Sequence, residues 1–549
     1  MFTDVLDNKN FKNPILPGFY PDPSICRVGE IYYMVNSSFA FFPGIPIFQS
    51  ADLVNWEQIG HVLDRESQLK LDGAYYSGGI FAPTIRYHEG VFYVITTNVD
   101  NRGNFIVTAN DPKGPWSEPY FIENAPGIDP SLFFDEDGKV YYTGCRETEN
   151  PRFFGDSEIW LQEIDLDKMQ LKGESSTIWR GALKDVKCPE GPHIYKINGM
   201  YYLVISEGGT EQYHAITVAR SKNISGPYEG NPGNPILTHR HLGKDYPISN
   251  TGHADLVKTQ NGDWYMVLLG SRPYGGYYKN LGRETFLVPV VWEDGWPIVS
   301  PGTGKVEFEY PFPNLPRSDK GQEEIRDDFD KEVLDYKWNS LRTPKEKFWS
   351  LKERPGFLRL KLKPMRILDV VETKGDNNYK KYAEESPSFL ARRQQHINFE
   401  VLTKMEFTPE NDKETAGIAL IQNNNHQFRL EYSMENGHKV VRLVSCKREC
   451  KENYVIDYEG KNIECTINSK VFEADVLYLK VTAIGQEYNF YYGSSLDEMK
   501  LLAENVDGRI LSWELAGGFI GTCIGLFASS NGEASCNHAD FDWFDYEGK

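Results

Sequence analysis

Three carboxylates in the first two hundred residues are marked by the residues around them. Asp22 lies between two prolines in "PGFYPDPSI", Asp129 lies in the similar phrase "GIDPSLFF", and Glu190 lies in "CPEGP". Proline fixes φ and removes a backbone donor, so the flanking prolines restrict the backbone that carries Asp22. Carboxylates in different environments can cleave glycosidic bonds, because a protonated one serves as general acid while an ionised one activates water or attacks carbon.

A repeated aromatic pair indicates which elements position these carboxylates. The pairs recur about every 50 to 60 residues, each after a turn signal and before further short β-like runs. No sustained helical period occurs between residues 1 and 310. Five repeats of several short strands predict a five-bladed β-propeller, with a β-sandwich and coincidental pairs as the alternative. The pairs are Tyr32 and Tyr33, Phe92 and Tyr93, Tyr141 and Tyr142, Tyr201 and Tyr202, and Trp264 and Tyr265.

The repeat also predicts that the charged residues share one register. Equivalent positions on the innermost strands of a propeller face one axial channel. Burying carboxylates without partners lowers the stability of a fold, so the convergence of several carboxylates there indicates a function. A structural ion site or a salt-bridged plug along the axis would also bring charged residues together there. Counting back 11 to 13 residues from the second aromatic of each pair gives Asp22, Phe81 or Ala82, Asp129, Glu190 and His253.

Composition narrows the class of ligand and partner. The chain of 549 residues has 79 acidic and 59 basic residues and a formal charge of -20, which argues against nucleic acid and is compatible with a neutral sugar. No apolar run approaches the length of a membrane span. The N-terminal "MFTDVLDNKNFKNP" lacks the features of a secretory signal, and the eight cysteines are expected to be reduced. We therefore expect a cytoplasmic protein without nucleic-acid or membrane partners.

At this point six motifs, taken in order, become recognisable. "FYPDPSI", "SGGIFAPTI", "GIDPSLFF", "CPEGPHIYKINGMYYL", "NTGHADLV" and "LGRETFL" resemble glycoside hydrolase family 43, above all its two-domain β-xylosidases and α-L-arabinofuranosidases. The resemblance runs from residue 13 to 549. It implies that Asp22 is the general base, Glu190 the general acid, and Asp129 the residue that tunes the pKa of the acid and orients it.

The resemblance further implies an inverting exo-glycosidase that needs no cofactor. Such an enzyme would release terminal β-D-xylose and/or α-L-arabinofuranose from xylo-oligosaccharides or arabinoxylan fragments. Family relatives are often dimers or tetramers, so a homo-oligomer is a further expectation. An endo-arabinanase-type hydrolase, which needs an open cleft, and a catalytically silent sugar-binding propeller are the alternatives. The second domain argues against the former, and the presence of all three carboxylates argues against the latter.

Several substrate-binding residues also follow from the resemblance. Arg283 in "LGRETF" would bind sugar hydroxyls, and His253 would hold a water, or a calcium ion as in some relatives, at the floor of the channel. Where close relatives often carry Trp this chain has Phe81, and where some xylosidases have Phe it has Ile128, so the preference between xylose and arabinofuranose stays open. The expected walls of the sugar site are Phe39, Phe42, Phe81 and Ile128.

The C-terminal part of the sequence changes character after a Pro-rich and then charged stretch. We predict a propeller over residues 1–318, a linker over 319–326 and a β-sandwich over 327–549, because later runs such as "INFEVLTKMEF" alternate with period two. This part resembles the concanavalin-like jelly roll of the two-domain xylosidases. A loop of that sandwich, matched by "GGFIGTCIG", would close the active site and place Phe519 in the pocket.

Overall fold

The computed structural model describes residues 9–318, 325–368, 370–371, 381–382, 385–448 and 462–549. These residues form β structure almost throughout, which confirms the all-β prediction. Helical turns in this part of the chain are short, and none is long and apolar enough to cross a membrane. They comprise two 3-10 turns, Leu496–Glu498 and Gly508–Leu511, and one α-helical turn, Trp513–Ala516.

Five four-stranded antiparallel sheets follow one another along the chain. They confirm the five-bladed propeller, and the alternative of a β-sandwich for this region is wrong. From the innermost strand outwards, blade 1 is Ser24–Val28, Ile31–Val35, Gly44–Ser50 and Glu57–Leu63, and blade 2 is Thr84–His88, Val91–Asn98, Gly103–Ala109 and Tyr120–Phe121. Blade 3 is Ile128–Phe134, Val140–Glu147, Ser157–Asp165 and Gln170–Trp179; blade 4 is Glu190–Ile197, Met200–Glu207, Ala215–Ser221 and Glu229–Gly230; blade 5 is Ser249–Lys258, Trp264–Ser271, Glu284–Glu293 and Trp296–Val299.

The repeated aromatic pairs lie on the second strand of each blade. Successive side chains of a strand point to opposite faces, so one ring of each pair is buried between blades while its neighbour is partly exposed. In blade 1 the buried ring is Tyr32, and in blade 3 it is Tyr142. The pairs therefore mark the packing between sheets, which explains their regular spacing.

The N-terminal and C-terminal segments of the propeller domain are joined by strand pairing. Asn10–Lys12 pairs with Glu309–Pro311, and Leu16 forms a bridge with Thr285 of blade 5. The five innermost strands contact one another in a ring, from blade 1 to blade 5 and back to blade 1. This closure turns the innermost strands towards one axis, as the shared register of the charged residues requires.

The second domain is the expected concanavalin-like β-sandwich. Residues 319–324 of the expected linker lie outside the described residues, and Arg326–Asp327 already pairs with the last strand. One sheet contains, in order, Trp349–Ser350, Leu358–Lys361, His538–Gly548, Phe399–Glu406, Val476–Ile484, Glu487–Gly493 and Lys500–Asp507. The other contains Asn462–Val471, His438–Arg448, His426–Glu435, Thr415–Asn423, Cys523–Ser529, Phe389–Arg393, Asn339–Leu341 and Phe41–Phe42, and a separate hairpin pairs Val370–Val371 with Lys381–Tyr382.

The second sheet of the sandwich runs across the domain boundary. Its last strand, Phe41–Phe42, lies in the chain between the second and third strands of blade 1 and pairs with Asn339–Leu341. Around it, Arg342 Nε donates to the carbonyl of Ala74 at 2.8 Å, and an apolar cluster contains residues of both domains. These contacts hold the sandwich over the propeller face at which the three carboxylates lie.

Candidate active site

The register of the predicted site residues is built from unusual backbone geometry. Asp22, Asp129 and His253 have φ of 53°, 54° and 45°, in the left-handed region that L-residues other than glycine rarely adopt. In blades 3, 4 and 5 the pairing register of the innermost strand shifts at this level, as in a β-bulge. In blade 4 the left-handed residue is Gly191, where a Cβ would lie 3.0 Å from His253 Cε1. Such bulges redirect side chains and are common beside active sites.

Asp22 is held as an anion. Its Oδ1 accepts a hydrogen bond from Arg283 Nη1 at 2.8 Å, and its Oδ2 accepts one from Ser37 Oγ at 2.6 Å. Burial alone would raise the pKa of Asp22, but the Arg283 and His253 charges and the Ser37 hydrogen bond together lower it below its usual value. Asp22 is therefore ionised near neutral pH, as a general base must be.

Glu190 has the opposite electrostatic environment. Burial is the largest cause that raises its pKa well above the usual value, and the negative charges of Asp129 and Asp22 add to it. The pKa of Asp129 is also raised, chiefly by burial, although its Oδ2 accepts a hydrogen bond from the Gly191 N–H at 3.2 Å. The protonated form of Glu190 is therefore favoured, as a general acid requires.

One cavity of about 640 Å³ brings these residues together. All of the residues predicted for the site line it except Phe42, whose strand pairs with Asn339–Leu341 and which packs against the apolar cluster between the domains. The residues that do line it are Asp22, Phe39, Phe81, Ile128, Asp129, Glu190, His253, Arg283 and Phe519.

A segment of the sandwich, residues 512–522, forms part of the cavity wall; we call it the strap. Its Phe519 N–H donates to Ser77 Oγ at 2.8 Å, and its Phe519 carbonyl accepts from Arg283 Nε at 3.3 Å. The ring of Phe519 lies 6.3 Å from the ring of Phe39 in a stacked arrangement. The strap thus ties an aromatic wall to the same arginine that binds Asp22.

His253 lies within the cavity next to Asp22. Its Nδ1 is 3.9 Å from Asp22 Oδ1, and its backbone N–H donates to Ser206 Oγ at 2.5 Å. The part of the chain that the structure describes contains no group of three or more His, Cys, Asp and Glu side chains placed to hold a metal ion. The calcium interpretation at His253 is therefore not supported.

The structure adds residues that the sequence analysis did not single out. Thr210 Oγ1 accepts from Arg283 Nη1 at 3.2 Å, and Asn250, within the quoted "NTGHADLV" motif, lies on the cavity wall. At the outer part of the cavity, Lys279 forms an ion pair with Glu514 of the strap and its backbone N–H donates to Glu514 Oε2 at 2.8 Å. Nothing in the sequence pairs positions 279 and 514, because only the docking of the two domains brings them together.

Comparison with known proteins gives matches to both domains of the chain. The family model for glycosyl hydrolases family 43 matches residues 11–297, and the model for the β-xylosidase C-terminal concanavalin A-like domain matches residues 326–547. A "Xylosidase/arabinosidase" of Butyrivibrio fibrisolvens is 48% identical over 97% of this chain and 99% of its own length. A non-reducing end alpha-L-arabinofuranosidase of Bacteroides ovatus is 39% identical over 98% of this chain and 95% of its own.

A solved structure shows the same two-domain architecture. The xylan beta-1,4-xylosidase of Bacillus halodurans superposes with a TM-score of 0.88 at 35% identity, over 98% of this chain and 100% of the other. The match extends over both domains, so the likeness includes the docking of the sandwich on the propeller.

Proposed function

Since the chain belongs to glycosyl hydrolase family 43 and is therefore a glycoside hydrolase, we propose that it releases single terminal pentoses with inversion of configuration. The bonds cleaved are those of terminal β-D-xylose and α-L-arabinofuranose in xylo-oligosaccharides or arabinoxylan fragments. The names of the relatives, which include a xylosidase/arabinosidase and an arabinofuranosidase, support this choice of sugars. A homo-oligomer and a cytoplasmic location stay predictions.

The observation that carries the proposal is the opposite shift of two pKa values in one cavity. Asp22, with a lowered pKa, accepts a proton from the attacking water, and Glu190, with a raised pKa, donates a proton to the leaving oxygen. Each group is in the protonation state that its step requires before the substrate binds. Asp129 adds negative charge beside Glu190 and thereby keeps the acid protonated.

Arg283 and His253 support the base in this scheme. Their interactions with Asp22 lower its pKa, and Arg283 donates through Nη1 to Asp22 and through Nε to the Phe519 carbonyl on the cavity wall. A sugar hydroxyl in the cavity can accept from the guanidinium, which orients the ring relative to Asp22.

Exo action follows from the closure of the cavity by the strap. Phe519 lies on the cavity wall, held through its backbone by Ser77 and Arg283. In this proposal the strap blocks the continuation of a long sugar chain past that wall. An endo-acting hydrolase needs a cleft that is open at both ends. We therefore favour cleavage of terminal sugars over the endo-arabinanase-type alternative.

The test is to assay Asp22→Ala and Glu190→Ala with p-nitrophenyl β-D-xyloside and α-L-arabinofuranoside. Each variant should lose nearly all turnover and keep its thermal transition, with Glu229→Gln, an exposed acid of blade 4, as the control. More than a few per cent of residual activity in either variant would contradict its role. The stereochemistry is read from the first anomer in an NMR time course, which should be α-xylose from the β-xyloside.

A further inference from the structure

A second ring of polar side chains lies on the innermost strands just beyond the catalytic residues. Each blade supplies a residue to it, and four of them follow a cavity residue by two or three positions. Ser24 follows Asp22, Ser131 follows Asp129, His193 follows Glu190 and Asp255 follows His253, while blade 2 contributes Arg86. We call these five residues, together with Tyr195, the axial cluster.

Arg86 and Asp255 form the centre of the axial cluster. Arg86 Nη1 donates to Asp255 Oδ2 at 2.8 Å, and Arg86 Nη2 donates to His193 Nδ1 at 2.8 Å. Asp255 Oδ1 accepts from Tyr195 Oη at 2.5 Å. One guanidinium of blade 2 is thereby joined to both blade 4 and blade 5.

The two serines join the remaining blades to this centre. Ser24 Oγ donates to Asp255 Oδ2 at 2.7 Å and accepts from the Ile85 N–H of blade 2 at 3.1 Å. Ser131 Oγ lies 3.2 Å from His193 Nδ1, within hydrogen-bond distance of the atom that Arg86 also contacts. Every blade is therefore connected to at least one other blade through the axial cluster.

The axial cluster is buried and has no net charge. Asp255 and His193 are 0% and 2% exposed, and the Arg86 side chain is 17% exposed. Burial alone would raise the pKa of Asp255, but Arg86 and the hydrogen-bond donors around it lower this pKa below the usual value. Burial lowers the pKa of His193 to about 3, so its ring is neutral and Nδ1 can accept from Arg86. The charges of Arg86 and Asp255 therefore cancel within the cluster.

We propose that the axial cluster is a positioning device for catalysis, with Arg86 and Asp255 as its principal positioning residues. Inversion requires Asp22 and Glu190 to act on opposite faces of one sugar. Small displacements of these reacting groups lower the reaction rate. The two carboxylates lie on different blades, and the strands that carry them are joined through Ser24, Asp255, Arg86 and His193 within three residues of each carboxylate. The cluster thus fixes the separation of base and acid without contacting the substrate.

This inference rests on the proposed function and extends it to residues outside the cavity, since no member of the axial cluster lines it. Its competitor is a cluster that only stabilises the propeller. The two differ in what happens to turnover in the folded variant. A positioning role lowers kcat with little change of KM, whereas a purely stabilising role lowers only the melting temperature.

The experiment compares Arg86→Met, Arg86→Lys and Asp255→Asn with the wild-type enzyme, on xylobiose and on 2,4-dinitrophenyl β-D-xyloside. Arg86→Met should lower kcat on xylobiose by about 10-fold or more, with KM within about 3-fold. The loss should be smaller on the dinitrophenyl glycoside, because that leaving group needs little help from Glu190. Arg86→Lys keeps the positive charge but loses the guanidinium that donates through both Nη1 and Nη2. It should recover part of kcat.

The matched control is Glu431→Gln, which breaks the buried Arg429–Glu431 pair of the sandwich. It should lower the melting temperature and leave kcat unchanged. If the axial variants behaved like this control at temperatures well below their transitions, the positioning role would be wrong. Asp255→Asn preserves shape, so it supplies the comparison if Arg86→Met does not fold. Failure of the wild-type enzyme on every pentoside would contradict the proposed function instead, and the same kcat comparison would then use whichever glycoside it does cleave.

Discussion

Arg283 and Asp22 form a buried ion pair in which Nη1 lies 2.8 Å from Oδ1. The same guanidinium donates through Nε to the carbonyl of Phe519, 236 residues further along the chain. One side chain therefore keeps the base ionised and also holds the strap of the second domain over the cavity. The chemistry of the propeller and the shape of the sugar site depend on each other through this arginine.

Removal of Arg283 should shift the acidic limb of the pH profile. Arg283→Met deletes the positive charge that lowers the pKa of Asp22, so that pKa rises and the base is ionised only at higher pH. The acidic limb of kcat/KM should move to higher pH, and kcat/KM at the optimum should fall about 100-fold or more. A full pH profile of the variant checks both effects, and an unmoved acidic limb would contradict the role of Arg283 beside the base.

Neutralising Asp129 should shift the opposite limb. Asp129→Asn removes a negative charge that raises the pKa of Glu190, so Glu190 loses its proton at lower pH. The Asn oxygen can still accept from the Gly191 N–H, so the local backbone should be kept. The alkaline limb should move to lower pH. The same profile measured for Ser131→Ala, which has no charge to lose, serves as a comparison.

Phe519→Ala should weaken sugar binding without unfolding the strap. The strap is held through the backbone N–H and carbonyl of residue 519, and both remain after truncation of the ring. We expect kcat/KM to fall about 10- to 100-fold, or about 1.4 to 2.7 kcal/mol. Phe42→Ala is the matched control, because Phe42 lies outside the cavity and should affect thermal stability alone. Equal kinetic losses in both variants would contradict a specific role for Phe519.

Gly518 is required by space as well as by backbone conformation. It has φ of +86°, and a Cβ there would lie 2.4 Å from Ser77 Oγ, the atom that accepts from the Phe519 N–H. Gly518→Ala should therefore displace the strap and raise KM about 10-fold. Gly532→Ala is the control. Its φ of +95° gives backbone strain, but no atom lies within 4 Å of its Cβ, so there is no steric clash. Both variants should lose about 1 kcal/mol of stability, and only the first should change KM.

The catalytic carboxylates should affect stability with opposite signs. The folded protein raises the pKa of Glu190, so between the usual value of 4.5 and the raised value the folded state binds more protons, and stability falls as pH increases. Glu190→Gln removes this penalty and should raise the melting temperature at pH 7 by about 2 °C or more. The gain should vanish below pH 4.5.

Asp22→Asn provides the reverse case. The pKa of Asp22 is lowered in the folded state, so its ionisation contributes stability above the usual value of 3.8, and that stability is lost as pH falls. The variant should melt at a lower temperature than the wild-type enzyme at pH 7, also because Arg283 loses its buried partner. Calorimetry at pH 7 and pH 4 checks both substitutions, and changes of equal sign would contradict the assigned protonation states.

The sequence by itself determined the blades and the register. The spacing of pairs such as Tyr141 and Tyr142 is set by blade length, and strands of one sheet follow one another in the chain, so a local pattern carries this information. The same register predicted the convergence of Asp22, Asp129 and Glu190, and the family motifs supplied the expected roles. A salt-bridged plug, the alternative to a functional site, also exists as the axial cluster. Its residues lie beyond the cavity residues on the same innermost strands.

Only the tertiary structure decided what each position contributes. Phe39 and Phe42 look alike in "SSFAFFPG", yet one lines the cavity while the other lies in a strand paired with the sandwich. The pairs Arg283 and Phe519, Lys279 and Glu514, and Arg86 and Asp255 join residues that are 169 to 236 positions apart. Their contacts arise from closure of the propeller and docking of the sandwich, and no periodicity within either segment encodes them. The protonation states follow from the same step, because burial and neighbouring charges, rather than residue type, shift Asp22 and Glu190 in opposite directions.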